Sequence, residues 1–557
     1  MHRSGRNRLG VEARFVTMIV AFISDENYVG LPGVAVEFTH LLSKRALCFV
    51  SSASGAVHAD LEPGRYRVVL SKEGYGAKWG EHDLNAGEPL QLRMLSDAPV
   101  GFMWPKWVRS GERSEIRAHA AEQYQLSLWR YGLRKESYGV ISWFDEHGPF
   151  TMRQILPDAD FTQTGVQWNS VGYPSPHPQQ SVVAPARSGL YYMWGRTLSG
   201  RRFSFPWVVA PSEPKSRVAV MANTNTWNAY NAFGGRSNYI NPAGLRAEPT
   251  INARQDLGRY QTSDSVWLAE DETYQPLSFE RPEPGNEIFD NTPWDERGAA
   301  DPIQGRLQCG QAPGEWRLFA WLEREGFEYD LYAEAQLHDG TLDLSAYKVL
   351  MLGVHPEYWS RTMFDRVDHW VRGGGRLMYL GGNGLNCEVL FPSETVMRCL
   401  SREDFTENEK NGNESRMHRT WKPEATLLGV AFSNFGAMTA APYAVRDDSH
   451  WAFRGTGLRK GDSFGSQSLH ERVPGGASGH ETDKMTRSSP AGRLLAQGLN
   501  RENGGADLVI FPLDKGCVFS TGSITWVSSL FPDQHVSQIT RNVLEVFLNA
   551  SVPWNVP

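Results

Sequence analysis

The chain has 557 residues, a formal net charge of −7, 21% charged and 40% apolar side chains, which excludes a disordered or fibrous protein. A length of this kind divides into roughly two to four domains, and the mild negative charge gives no reason to expect nucleic acid or an anionic membrane as partner. Five scattered cysteines (Cys48, Cys309, Cys387, Cys399, Cys517), odd in number and without CxxC spacing, indicate neither a zinc site nor a disulfide framework and read as reduced thiols in the cytoplasm.

Arg3, Arg6, Arg8 and Arg14 precede an apolar run at 15–23, an arrangement that mimics a signal peptide. No small-x-small cleavage site follows, and the run is well short of the roughly 20 residues that span a bilayer. A buried strand is expected there. Val34-Ala35-Val36-Glu37-Phe38 alternates with period two, and Tyr66-Arg67-Val68-Val69-Leu70 follows a Pro63-Gly64 turn. Both read as strands of an all-β domain over 1–97. From 98 to 213, aromatic runs around Trp143, Trp168, Tyr191-Tyr192-Met193-Trp194 and Phe203-Ser204-Phe205 predict a second β-rich domain, Ig-like or lectin-like. Ala210-Pro211-Ser212-Glu213-Pro214 marks a linker.

The pattern then changes. Strands are expected at 217–222, 327–332, 347–353 and 376–380, with helices at 317–325 and 361–372. Met363, Val367, Trp370 and Val371 share one face of the second helix, which Gly373-Gly374-Gly375 ends. Residues 401–417 read as an exposed charged loop, and 506–524 as two strands joined at Asp514-Lys515-Gly516. Strand–helix alternation predicts an α/β, doubly wound parallel sheet over 214–557, similar to glutamine-amidotransferase-like domains. The expected fold is thus multidomain, with two N-terminal all-β, sandwich-like domains ahead of that α/β domain.

Three of these strands end in polar groups: Asn223-Thr224-Asn225-Thr226-Trp227-Asn228-Ala229-Tyr230-Asn231, His355-Pro356-Glu357, and Gly381-Gly382-Asn383-Gly384. Open α/β sheets bind ligands at the carboxyl ends of their strands, so these groups are expected to converge. A hard trivalent cation such as Fe(III) prefers anionic oxygen ligands, and two phenolates with one carboxylate would balance its charge. By spacing alone Tyr230 is either a core aromatic or such a ligand. Glu481, within Gly479-His480-Glu481-Thr482-Asp483, is either a general base or part of a solvated turn.

The strand-end motifs, with Gly234-Gly235-Arg236-Ser237-Asn238-Tyr239 and Ser278-Phe279-Glu280-Arg281-Pro282, occur in an order that resembles the large subunit of N,N-dimethylformamidase and its relatives. The resemblance covers about 216–557, and the block from His355 to Gly384 is its most specific part. It implies hydrolysis of small N-substituted amides at a mononuclear Fe(III) centre. Carried over, the iron ligands fall on Tyr230, Tyr239 and Glu357, with Tyr260 or Tyr274 as alternatives to Tyr239. His355 and Asn383 fall beside the metal, and Glu481 matches a family glutamate proposed for catalysis.

On this reading Glu481 or His355 takes a proton from the attacking water, and Asn383 donates to the developing oxyanion. Trp227, Phe233 and Trp359 are either an apolar wall for N-alkyl groups or core. The expected partners are a small amide and further copies of this chain in a homo-oligomer; whether a separate small subunit is needed stays open. Two alternatives compete. One is a thiol hydrolase with Cys387 as nucleophile, and the other is a carbohydrate- or polymer-binding protein built on the aromatic β domains.

Overall fold

The computed structural model describes residues 18–25, 29–84, 88–94, 96, 98–120, 122–142, 181–231, 233, 237–238, 248–249, 276–288, 311–400, 417, 421–470 and 472–549. Tyr239, Tyr260, Tyr274, Trp143, Trp168 and nearly all of the expected 401–417 loop lie outside these residues.

The described part of the first 210 residues is β throughout. Met18–Ser24 buries its second half and pairs antiparallel with Ala56–Ala59 and parallel with Leu90–Arg93. A four-stranded antiparallel sheet runs in the order Ala46–Val50, Ala35–His40, Gly64–Lys72, Tyr75–Leu84. The period-two pattern puts Val36, Phe38, Tyr66, Val68 and Leu70 on one face, where they build the first core with Ala21, Ile23 and Phe102.

A second β unit pairs a three-stranded sheet with a five-stranded one. Strand Gly189–Thr197 of the larger sheet is buried along almost its whole length. Tyr191 and Met193 face the unit's own core, whereas Leu190, Tyr192 and Trp194 face the C-terminal layer. A strand covered on both sides reads as an unbroken apolar run, which accounts for the Tyr191–Trp194 block.

The C-terminal part is built on a nine-stranded sheet. Its order is Asp330–Ala333, Val218–Ala222, Val349–Val354, Arg376–Gly381, Gly516–Ser520, Asp507–Leu513, Arg493–Gly498, Tyr443–Val445, Ser463–Phe464. The first five strands are parallel and the remaining four join antiparallel. Val218 and Val220 pack toward helices Ala312–Arg324 and Gln534–Leu548, while Ala219 and Met221 pack toward helix Arg361–Arg372. Ser360 caps that last helix by accepting from the Met363 N–H.

Several expectations need correction. The expected α/β doubly wound, amidotransferase-like domain over 214–557 is not supported: the described chain is mostly strand with few helices, and four antiparallel strands extend the sheet. The helix expected at 317–325 begins at Ala312, because Pro313 has the fixed φ that suits a first helical turn. The polar run after Ala222, which the sequence reading assigned to no element, is a helix, Thr224–Tyr230. Asn and Thr are weak helix formers, so its support is tertiary. Among the described residues no helix is long and apolar enough to cross a membrane.

Candidate active site

Strands Val218–Ala222, Val349–Val354 and Arg376–Gly381 are neighbours in the parallel part of the sheet, so their carboxyl ends open on one edge. Val354 turns the second strand through a φ of +60°, a rare backbone for a β-branched residue, and so redirects His355 and Glu357. Gly382 lets a further loop approach: a Cβ there would stand 2.3 Å from the Glu481 carbonyl oxygen.

Five of the six expected site residues come together. Tyr230 Oη donates to Glu357 Oε2 at 2.9 Å and lies 3.0 Å from His355 Nε2. His355 Nε2 is 3.0 Å from Glu357 Oε2 and 3.7 Å from Glu481 Oε2. Asn383 Nδ2 donates to Glu481 Oε2 at 2.8 Å. The sixth, Tyr239, lies outside the described residues.

His355 and Glu357 are buried, whereas the Glu481 side chain is 22% exposed. His355 Nδ1 faces the Gly382 carbonyl at 2.9 Å, which leaves Nε2 for the acids. Burial pushes its pKa down, but Glu357 and then Glu481 outweigh that, and it rises to about 9. Asp483, fully buried, accepts from the Asn383 N–H at 2.8 Å and from Tyr379 Oη at 2.7 Å, and burial raises its carboxyl to about 7. His470 accepts from the Val473 N–H at Nδ1, so its Nε2–H donates to His480 Nδ1 at 3.2 Å. Burial lowers both rings to about 3, leaving them neutral.

The Asn and Thr side chains of helix Thr224–Tyr230 latch it to the His355–Glu357 turn. Thr226 Oγ1 donates to the His355 carbonyl and accepts from the Glu357 N–H, and Asn225 Nδ2 donates to the Tyr358 carbonyl. Two buried carboxylates hold the helix start. Glu315 accepts from the Asn223 N–H and from Trp227 Nε1, and Glu334 accepts from the Asn225 N–H and from Trp359 Nε1. Sequence reading missed both acids, since each sits in an unremarkable helical segment. Their signal was indirect: an uncharged Asn/Thr run needs buried partners for its backbone.

Burial pushes the Glu315 carboxyl up from 4.5 to about 8. The folded chain therefore holds a proton that the unfolded chain releases, so this group's contribution to stability falls as pH rises from about 4.5 to about 8. Glu315→Gln, which mimics the protonated acid, is expected to flatten that part of the slope in urea unfolding curves. A slope identical to the parent's would show that Glu315 titrates normally.

Trp227, Trp359 and Phe233 are 3%, 0% and 1% exposed, so they are core rather than a substrate wall. Phe233 joins the core of the first β unit. Cys387 opens a strand, Cys387–Ser393, and its thiol faces the carbonyls of Glu388 and Leu400. An amidotransferase-like thiol nucleophile would sit at a sharp strand-to-helix elbow, whereas Cys387 is buried at the start of a strand. Cys387→Ser is expected to leave turnover at the parent's level in a direct assay, and an inactive but folded variant would restore the thiol reading.

Among the described residues no three His, Cys, Asp or Glu side chains are arranged so that they could hold a metal ion by themselves. The pair that suits a hard cation is Tyr230 with Glu357. Ligands about 2.0–2.2 Å from an ion and at right angles stand about 2.8–3.1 Å apart, and these two oxygens are 2.9 Å apart. Asn383 Oδ1 is buried without a hydrogen-bond partner among the described residues, a polar atom left for a ligand or water.

Residues 156–538 match the family described as N,N-dimethylformamidase beta subunit-like, C-terminal. The N,N-dimethylformamidase beta subunits of Paracoccus aminophilus and of Alcaligenes sp are each 28% identical to this chain over 295 residues, covering 44% of it and 38% of the relative. The chain thus spans well under half the length of the curated relatives it matches. Among solved structures, the GH42 beta-galactosidase Gan42B aligns at 12% identity over 46% of this chain and 28% of its own, with a TM-score of 0.25 that carries no fold assignment.

Proposed function

The chain belongs to the N,N-dimethylformamidase beta subunit-like family, and from that premise we propose that it hydrolyses the C–N bond of small N-substituted amides to a carboxylate and an amine. The observation that supports this most is the convergence of Tyr230, His355, Glu357, Asn383 and Glu481 at one edge of the sheet. An amide is stabilised by resonance, so its cleavage needs both carbonyl activation and protonation of the leaving nitrogen.

Tyr230 and Glu357 would hold a mononuclear Fe(III), with Tyr239 as the third ligand that the family resemblance implies. When bound, such an ion supplies Lewis acidity toward a carbonyl oxygen and lowers the pKa of bound water. The chain's own groups handle the protons. Glu481 is the most exposed carboxylate of the cluster, and Asn383 fixes its Oε2 by a 2.8 Å hydrogen bond. It accepts a proton from water as the water oxygen adds to the carbonyl carbon. It then returns that proton to the amide nitrogen as the C–N bond breaks and the amine leaves.

His355 is placed as a donor rather than as the base, because its Nδ1 is committed to the Gly382 carbonyl and its Nε2 faces three acidic oxygens. Asn383 has two side-chain N–H donors, so holding Glu481 with one leaves the other for the developing oxyanion. One amide N–H orients Glu481, and the Oδ1, without a partner among the described residues, is an acceptor for water or for an amide N–H.

The test is a metal analysis of the purified chain, its visible spectrum, and assays against formamides, acetamides and alkylureas. Bound iron with a tyrosinate charge-transfer band and release of amine support the reading. An iron-free chain that cleaves none of the panel, alone or with a small subunit added, would overturn it.

A further inference from the structure

Tyr230 ends a seven-residue helix that its own sequence supports poorly, so something must hold its last turn. That group is Arg281, which is completely buried. Its Nη2 donates to the Asn228 carbonyl and side-chain oxygens, both at 2.8 Å. Its Nη1 donates to the carbonyls of Asn231 and Phe233, both at 2.9 Å, and its Nε donates to the Ser278 carbonyl at 2.9 Å. The contact is returned, since Asn231 Nδ2 donates to the Pro282 carbonyl at 2.8 Å. A cation at a helix carboxyl end also opposes the negative end of the helix dipole.

The residues on either side of Arg281 reach the opposite way, into the second β unit. Glu280 pairs with Arg117 at 2.7 Å, and Glu283 pairs with Lys106 at 2.6 Å. All four of these side chains are largely buried, with 16% exposure at most. Phe279 packs edge-on against Trp107 of the same unit, with ring centroids 5.1 Å apart.

We propose that residues 277–286 form a strap through which the second β unit sets the position of Tyr230, with Arg281 as the positioning residue. The significance of Tyr230 rests on the function proposed above, but the mechanical link does not. It gives the β layer a role in a site to which it contributes no expected site residue. The planar guanidinium is essential, because its fork of N–H donors spans four carbonyls and a side chain, whereas an ammonium is a single point charge.

The experiment labels the full chain with 3-fluorotyrosine and follows the fluorine resonance of Tyr230, assigned with Tyr230→Phe. In Arg281→Lys that resonance is expected to shift or broaden while circular dichroism and cooperative unfolding persist. Lys106→Glu and Glu283→Lys are each expected to displace it, and the double exchange to bring it back toward the parent. A folded Arg281→Lys chain with an unmoved Tyr230 resonance overturns the strap. Should Arg281→Lys fail to fold, Glu283→Gln decides: a displaced resonance supports the strap and a parent-like one removes it. The readout needs neither iron nor amide. A resonance displaced by Arg281→Lys, where the parent chain is iron-free and cleaves no amide alone or with a small subunit, keeps the strap and removes the hydrolase reading, and an active parent whose resonance Arg281→Lys leaves unmoved does the reverse.

Discussion

Glu357→Ala is expected to strip bound iron to background, erase the visible tyrosinate band and lower amide hydrolysis by about 10³-fold or more, since Lewis-acid activation is worth several kcal/mol and each 1.36 kcal/mol is tenfold. The carboxylate accepts from Tyr230 Oη at 2.9 Å and also faces His355 Nε2 at 3.0 Å. Truncation takes the anionic partner at Glu357 away from both the phenol and His355. Removing one partner from a buried pair typically costs on the order of 3–5 kcal/mol, so the variant should also unfold at lower urea. Glu357→Gln preserves the shape and separates the effects: it should lose iron while retaining more of the stability. Metal content and absorbance are the measurements, and a folded Glu357→Ala chain with a full iron complement would sink the ligand assignment.

Glu481→Gln is expected to behave differently. It removes the base while leaving Tyr230 and Glu357 in place, so iron and spectrum should match the parent. General acid–base groups contribute about 10²–10⁴-fold, and the loss should fall on kcat rather than on KM. Glutamine retains a side-chain oxygen to accept the Asn383 hydrogen bond, so the loop need not move. Parent-level turnover in this variant would remove Glu481 from the proton transfers and leave the hydrolytic reading without a base.

Much of the scaffold was legible because its signals are local. Helix Arg361–Arg372 has the bounds that its apolar spacing and following glycines imply. The parallel strands show as short apolar runs, although Val349–Val354 begins two residues later than expected, since Tyr347 turns out of the strand to bond Asp330 and Tyr332. Helix Thr224–Tyr230 was not legible. Its residue types favour turns, and the groups that stabilise it, Glu315, Glu334 and Arg281, lie at least 50 positions downstream.

For the site, residue type and strand-end placement marked His355, Glu357 and Asn383 and left Tyr230 and Glu481 open to two readings, and family resemblance added Tyr239 and the roles of Tyr230 and Glu481. What residue type could not decide was orientation. Trp227 and Trp359 were open to either fate until Glu315 and Glu334 were seen to hold their indole N–H groups inside the core. Residue type likewise could not show that one Asn383 N–H is held by Glu481.

Periodicity, turn residues and chain order are properties of neighbouring residues, so the amino-acid sequence by itself determined the β-rich first part, the parallel strands and the polar groups at their ends. Tertiary structure alone decided that Tyr230 meets Glu357 127 positions away, that Asn383 meets Glu481 98 positions away, and that Arg281 is a buried clamp rather than a surface charge. The physical reason is that a hydrogen bond between distant residues, or the burial of a charge, depends on how the whole sheet and its covering layers close around it, and no local pattern carries that information.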